Sequence, residues 1–180
     1  MSALFRLSAG WILLADLQPP KRRESAEVRG GNPVMSQATK AGQSTREVAQ
    51  AWFDALLGGD VEAAGRLLAP DVRFINHTPV PGFNTDMVWI GTHHGRQAAL
   101  DSFATFVSIC DVREEELVGL VVDGEEAMGI IHEVSHVRRN GARFEIEFVQ
   151  RLTVRDGRIV QWRSYSDSAA IVRALREEAS

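Results

Sequence analysis

The chain has 180 residues, of which 44% are hydrophobic and 24% charged, and a formal net charge of −4. That balance specifies a globular domain with a core of its own and excludes an intrinsically disordered chain. No apolar run approaches the ~20 residues that span a bilayer, and the acidic balance argues against a nucleic-acid surface.

Charge is unevenly placed. Residues 1–40 carry six Lys or Arg against three Asp or Glu, leaving 14 basic and 21 acidic residues in 41–180. MSALFRLSAGWILLADL has only a short apolar run, broken by Asp16 and followed by no A-x-A cleavage site. PPKRRESAEVRGGNP is rich in Pro, Gly and charge, with nothing to bury. Residues 1–40 are therefore expected to be a disordered or non-native-start extension ahead of one domain at 41–180. Met35 is a candidate start of the folded protein, and the cytoplasm is the default location.

Ser44-x-x-Glu47 spells a capping box, opening a helix with Val48, Ala51, Trp52, Ala55 and Leu56 as its apolar stripe. Gly58-Gly59 ends it, Asp60 caps a second short helix (VEAAGRLLA), and Pro70 closes that one. DVRFIN (71–76) reads as a strand, followed by a loop containing Pro79, Pro81 and Gly82 and the short apolar MVWIG. His93-His94 reads as polar entry to a third helix, GRQAALDSFATFVSI, whose face carries Ala99, Phe103, Phe106 and Val107. Cys110 is the one cysteine, which excludes an internal disulfide; within FVSIC it reads as a buried thiol without chemistry.

Beyond Cys110 the pattern becomes β-rich. Asp123-Gly124, Asn140-Gly141 and Asp156-Gly157 separate four strand-like runs, the strongest short hairpin signal a sequence gives. In ARFEIEFVQRLTV, Phe144, Ile146, Phe148, Leu152 and Val154 share one face with Gln150, while Glu145, Glu147 and Arg151 take the other. A final helix is capped by Asp167. The order predicts an α+β fold, with helices packed on one side of a curved, mostly antiparallel sheet.

His132-Glu133-x-x-His136 matches the zinc-protease spelling H-E-x-x-H, which works only on a helix. Here the β-branched Ile130, Ile131, Val134 and Val137, the mid-element Gly129 and the following Asn140-Gly141 turn predict a strand. On a strand, Glu133 faces away from both imidazoles. Arg139 and Ala142 also stand where the longer form of the motif has Gly and a third His. A zinc hydrolase is thus the remote alternative. With no Gly-rich phosphate loop in the sequence either, neither a metal nor a cofactor is expected.

VAQAWFDALLGGDVEAAGRLLAPDVRF, GTHHGRQAALDSF and RLTVRDGRIVQWRSYSD resemble the nuclear transport factor 2-like superfamily, in its SnoaL-like and ketosteroid isomerase-like branches, over roughly residues 44–178. The resemblance implies a cone-shaped α+β barrel enclosing an apolar pocket, commonly a homodimer. It leaves activity open, since the superfamily includes isomerases, cyclases, hydrolases and proteins without catalysis. In ketosteroid isomerase an Asp base, a Tyr and a protonated Asp act on a carbonyl compound. The matching positions here are Asn76, Trp52 and Gln150; Asn cannot serve as that base, while Trp52 and Gln150 retain donors. Against limonene epoxide hydrolase, whose W-R-D-Y-F-D resembles WRSYSD, the Asp-Arg-Asp relay falls on Glu133, Ile131 and Ser164, so one carboxylate survives.

The expected catalytic residues are therefore Glu133, Gln150, Asn76 and His77. The expected substrate-binding residues are Trp52, Phe74, Ile131, Phe144, Phe148, Trp162 and Ser164. The implied function is a cofactor-free acid/base isomerase, cyclase or hydrolase/lyase acting on an apolar ring- or carbonyl-containing metabolite. The alternative is a non-catalytic small-ligand-binding protein of the same fold. An inward Glu133 hydrogen-bonded to Gln150 would favour chemistry.

Overall fold

The computed structural model describes residues 43–178, so the expectation for residues 1–40 lies outside the described residues. Helices α1 (Thr45–Leu57) and α2 (Val61–Leu67) lead into strands β1 (Leu68–Asn76) and β2 (Gly91–His94). Helix α3 (Arg96–Ile109) follows, then β3 (Cys110–Asp123), β4 (Glu126–Val137), β5 (Arg143–Arg155), β6 (Arg158–Tyr165) and α4 (Ser168–Arg176). One six-stranded sheet runs in the order β2-β1-β6-β5-β4-β3. Only β1 and β6 pair in parallel; every other pair is antiparallel. The sheet is open rather than a closed barrel, with β2 and β3 as its edges.

The capping box forms as spelled. Ser44 Oγ accepts from the Glu47 amide at 3.3 Å, and Glu47 accepts from the Ser44 amide at 2.7 Å. Such a cap contributes about 1 kcal/mol to its helix. The buried face of α1 is Val48, Ala49, Trp52, Phe53 and Leu56, so Ala49 and Phe53 replace the expected Ala51 and Ala55. The reason is tertiary: Phe53 lies against Gly129 of β4, where a Cβ would fall 2.2 Å from Phe53 Cζ. The glycine opens the sheet to the ring.

Two further boundaries differ from the sequence reading. Helix α2 ends at Leu67, and Pro70 belongs to β1, near the strand's start. His93 and His94 lie on β2, paired with Phe74 and Arg73 of β1, rather than opening α3. All three dipeptides fall at hairpin connections, but the two-residue left-handed pair forms at Asp156-Gly157, with φ +49° and +72°, while at Asp123-Gly124 and Asn140-Gly141 the glycine alone is left-handed.

The concave face of the sheet meets the helices. One apolar cluster joins Trp52, Phe53, Ile131, Leu152 and Trp162; a second joins Trp89, Val137, Phe144, Ile171 and Leu175. Cys110 is fully buried, and burial, followed by the nearby Glu133, pushes its thiol up to about 12. It behaves as a small apolar side chain. Among the described residues, no helix is long and apolar enough to cross a membrane.

Candidate functional site

The zinc spelling lies in the middle of β4. Glu133 is 4% exposed on the concave face, whereas His132 and His136 are half-buried on the convex one. His132 Nε2 meets Glu145 of β5 at 3.0 Å. A strand that sends Glu133 and the imidazoles to opposite sides cannot place the Glu beside a metal held by both His residues.

Glu133 instead faces a cavity of about 560 Å³, counted out to its mouth. Its apolar wall includes Phe74, Phe148, Trp162 and Trp89, with Phe103 and Phe106 from α3. Phe74 and Trp162, opposite each other on β1 and β6, stack with centroids 3.6 Å apart. Among the described residues the polar lining is Asn76, His77, Gln150, Ser164, Ser166, Glu115 and Glu133, with neither Lys nor Arg. Gln150, Ser164 and Asn76 form one row across β5, β6 and β1, because Ser164 is the register partner of both others.

Of the expected residues, Glu133, Gln150, Asn76, His77, Phe74, Phe148, Trp162 and Ser164 converge on this cavity. Ile131 and Phe144 do not line it: Ile131 is fully buried in the first apolar cluster and Phe144 packs in the second. Trp52 reaches the site indirectly. Its indole Nε1 donates to Gln150 Oε1 at 2.9 Å. That bond engages the amide oxygen and leaves the amide nitrogen, with its two hydrogens, for another partner.

Glu133 is not hydrogen-bonded to Gln150. Ser135, two residues along on the same face, donates to Glu133 Oε1 at 2.5 Å. Gln150 stands opposite Gly129, four residues from Glu133 along β4, a separation of roughly 13 Å at strand rise. Burial raises the Glu133 carboxyl above its ordinary range, and the Ser135 hydroxyl partly offsets this by favouring the charged form.

A second acid was not foreseen. Glu115 of β3 is the register partner of Glu133 and lines the same cavity. Burial, and then the Glu133 charge beside it, push Glu115 up to about 8. Alternation along β3 is interrupted twice, between Val112 and Glu114 and between Leu117 and Gly119. Each irregularity reverses which residues face inward, so Glu115 and Leu117 point in where an unbroken strand in phase with Val112 would send Glu114 and Glu116. At neutral pH Glu115 holds its proton, while the hydroxyl-supported Glu133 is the carboxylate that ionises first. The site thus presents two carboxyls in one apolar chamber, both raised by burial, of which Glu133 alone has a hydroxyl favouring its charged form.

His77 follows Asn76 with φ +54°. Its Nδ1 lies 2.8 Å from Asn76 Oδ1 and its Nε2 2.5 Å from Ser166 Oγ. Burial pushes the imidazole down to about 4, so it is neutral above pH 5 and a weak base. Ser166 and Trp89 carry no motif in the sequence, and only the fold brings them to the site.

Comparison with known proteins accords with this geometry. A search of curated proteins finds no significant match. Among solved structures, a nuclear transport factor 2-like protein from Burkholderia xenovorans is similar at TM-score 0.63 and 22% identity, over 77% of this chain and 100% of that one. A protein provisionally described as a SnoaL-like polyketide cyclase from Mesorhizobium loti gives TM-score 0.58 and 20% identity, over 68% and 99%. A protein of ketosteroid isomerase-like fold from Catenulispora acidiphila, in complex with trimethylamine, gives 0.57 and 19%, over 71% and 92%. These similarities establish the α+β cone fold. The model of the SnoaL-like domain matches residues 49–162, more than half of the sequence, and the chain therefore belongs to the SnoaL-like domain family.

Proposed function

We propose that this protein is a cofactor-free acid/base enzyme acting on an apolar, ring-containing carbonyl compound. The observation that supports it is the inward pairing of Glu133 and Glu115 across β4 and β3, inside an aromatic cavity that no Lys or Arg of the described residues lines. Glu133, as carboxylate, takes a proton from the carbon next to the carbonyl. Glu115, as the carboxylic acid beside it on β3, meets the oxygen that gains charge. Returning the proton to a second carbon of the conjugated enolate completes an isomerisation, and no electron acceptor is required.

Exchange of the acidic protons of 2-tetralone in D2O, followed by NMR, tests the reading. The wild type should accelerate exchange, and Glu133→Gln should remove about 10²–10⁴ of that acceleration, with affinity held within about tenfold. A Glu133→Gln variant as fast as the wild type would take Glu133 out of the mechanism, and no acceleration by the wild type would end the acid/base reading.

The cytoplasm is the proposed location, and the proposed assembly is a homodimer formed through the convex face. There Val121 and Met128 are register partners and are 61% and 43% exposed. By contrast Val134, on the same face, is only 5% exposed. Light scattering should give twice the mass of one chain, and Val121→Lys should halve it; a monomeric wild type contradicts the assembly.

A further inference from the structure

The Asn76–His77–Ser166 chain has a direction. An amide oxygen can only accept, so the proton of neutral His77 sits on Nδ1 and is given to Asn76 Oδ1. Nε2 is then a bare lone pair, and the hydrogen in the contact with Ser166 must come from the hydroxyl. Ser166 is committed by this: its only hydrogen is given and its lone pairs remain. Asn76 has its oxygen engaged by the ring and keeps both NH2 hydrogens for other partners. All three side chains line the same cavity, and Asn76 is only 9% exposed.

The backbone supports a role beyond filling space. His77 holds φ +54°, a conformation that residues other than glycine rarely adopt. Such conformations persist where their surroundings over-determine them, and they collect at binding and catalytic sites. Ser166 follows directly on β6, the parallel neighbour of the strand that ends at Asn76, so two adjacent strand ends are tied through one ring.

We propose that His77 is a positioning residue that presents Asn76 to the cavity as a hydrogen-bond donor and Ser166 as an acceptor, so that the ligand is a hydroxy-carbonyl compound. Its hydroxyl accepts from the Asn76 amide and donates to Ser166 Oγ, while its carbonyl lies toward Glu115. The inference rests on the cavity being the small-molecule site, but it does not depend on turnover. It narrows the ligand class from apolar carbonyl compounds to those that also carry a donor.

Calorimetric titration at pH 7 with 3- and 4-hydroxyacetophenone, their methyl ethers and acetophenone tests it. In the wild type, the better hydroxy isomer should bind about tenfold more tightly than its own methyl ether, the difference one neutral hydrogen bond makes. Ser166→Ala should bring that ratio to within about twofold while leaving acetophenone affinity in place, and Ser166→Thr should restore it. His77→Phe keeps the ring volume but frees both neighbours, and should reduce the ratio with Ser166 intact. A merely structural His77 would change thermal stability without changing this ratio. Equal binding of hydroxy compound and ether by the wild type, or a ratio preserved in Ser166→Ala, overturns the inference while leaving the acid/base reading of Glu133 standing. Binding of no member of the panel overturns the inference together with the cavity's assignment as an aryl-carbonyl site.

Discussion

Replacing Gly129 by Ala should destabilise the protein by about 3 kcal/mol, the upper end of the usual cost of overpacking a core. The added methyl group would fall 2.2 Å from Phe53 Cζ and 2.6 and 2.7 Å from Cε2 and Cε1, closer than carbon atoms approach one another. The ring cannot simply turn away. Phe53 is fully buried on α1 against Gly129 of the sheet, so relief requires the helix to lift from β4. At this size the loss corresponds to about 10 °C in Tm, measured by calorimetry. A double-mutant cycle with Phe53→Leu supplies the control, since shortening the ring should recover much of the loss. A Gly129→Ala protein within 1 °C of wild type would mean that the contact yields at no cost.

Glu115→Gln should act in the opposite sense and raise stability at pH 8 by about 3 kcal/mol. The Glu115 carboxyl titrates near 8 in the folded chain against an ordinary 4.5. Below pH 4.5 both folded and unfolded chains hold the proton, and the group contributes no pH dependence. Between 4.5 and 8 the unfolded chain releases it while the folded chain keeps it, so stability falls as pH rises. Each unit of such a shift corresponds to about 1.4 kcal/mol, reduced here because Glu115 is only half-buried. Glu133, also raised, adds to the same limb. His77 provides the opposing one: its folded value near 4 against 6.5 removes stability as pH falls from 6.5 toward 4. Urea denaturation at pH 5, 6.5 and 8 should therefore show a loss on the alkaline side in wild type that Glu115→Gln mostly removes. A wild-type profile that is flat from pH 5 to 8 would contradict this assignment.

What the sequence made legible was local. The capping box, the hairpin dipeptides and the alternation of β5 each depend on neighbours within a few residues, and each formed as spelled. The separation of Glu133 from its two imidazole neighbours followed from the same alternation once the helical reading of its motif was set aside. What stayed hidden depends on distant parts of the chain. Phe53 is a core residue because Gly129, 76 positions later, leaves it room. Ser135 replaces Gln150 as the partner of Glu133 because strand register, invisible in composition, places Gln150 opposite Gly129. Ile131 and Phe144 share the concave face with the cavity residues, yet helices cover them, and strand periodicity cannot say which part of a face stays open. Glu115 escaped notice because two irregularities in one strand each defeat a period-two reading.

Those irregularities lie on an edge strand whose sequence there is Glu114-Glu115-Glu116. A slip of β3 by one residue, in either direction, would still deliver a carboxylate to the wall opposite Glu133. Sliding is easiest at an edge, where only one neighbour holds the register, so the run of three acids makes the chemistry of that wall insensitive to how the edge is seated. Glu133 has no such insurance: its flanking residues are His132 and Val134, and β4 is held in place by a strand on either side. Single-residue insertions and deletions in β3 should accordingly be tolerated by the site far better than the same changes in β4.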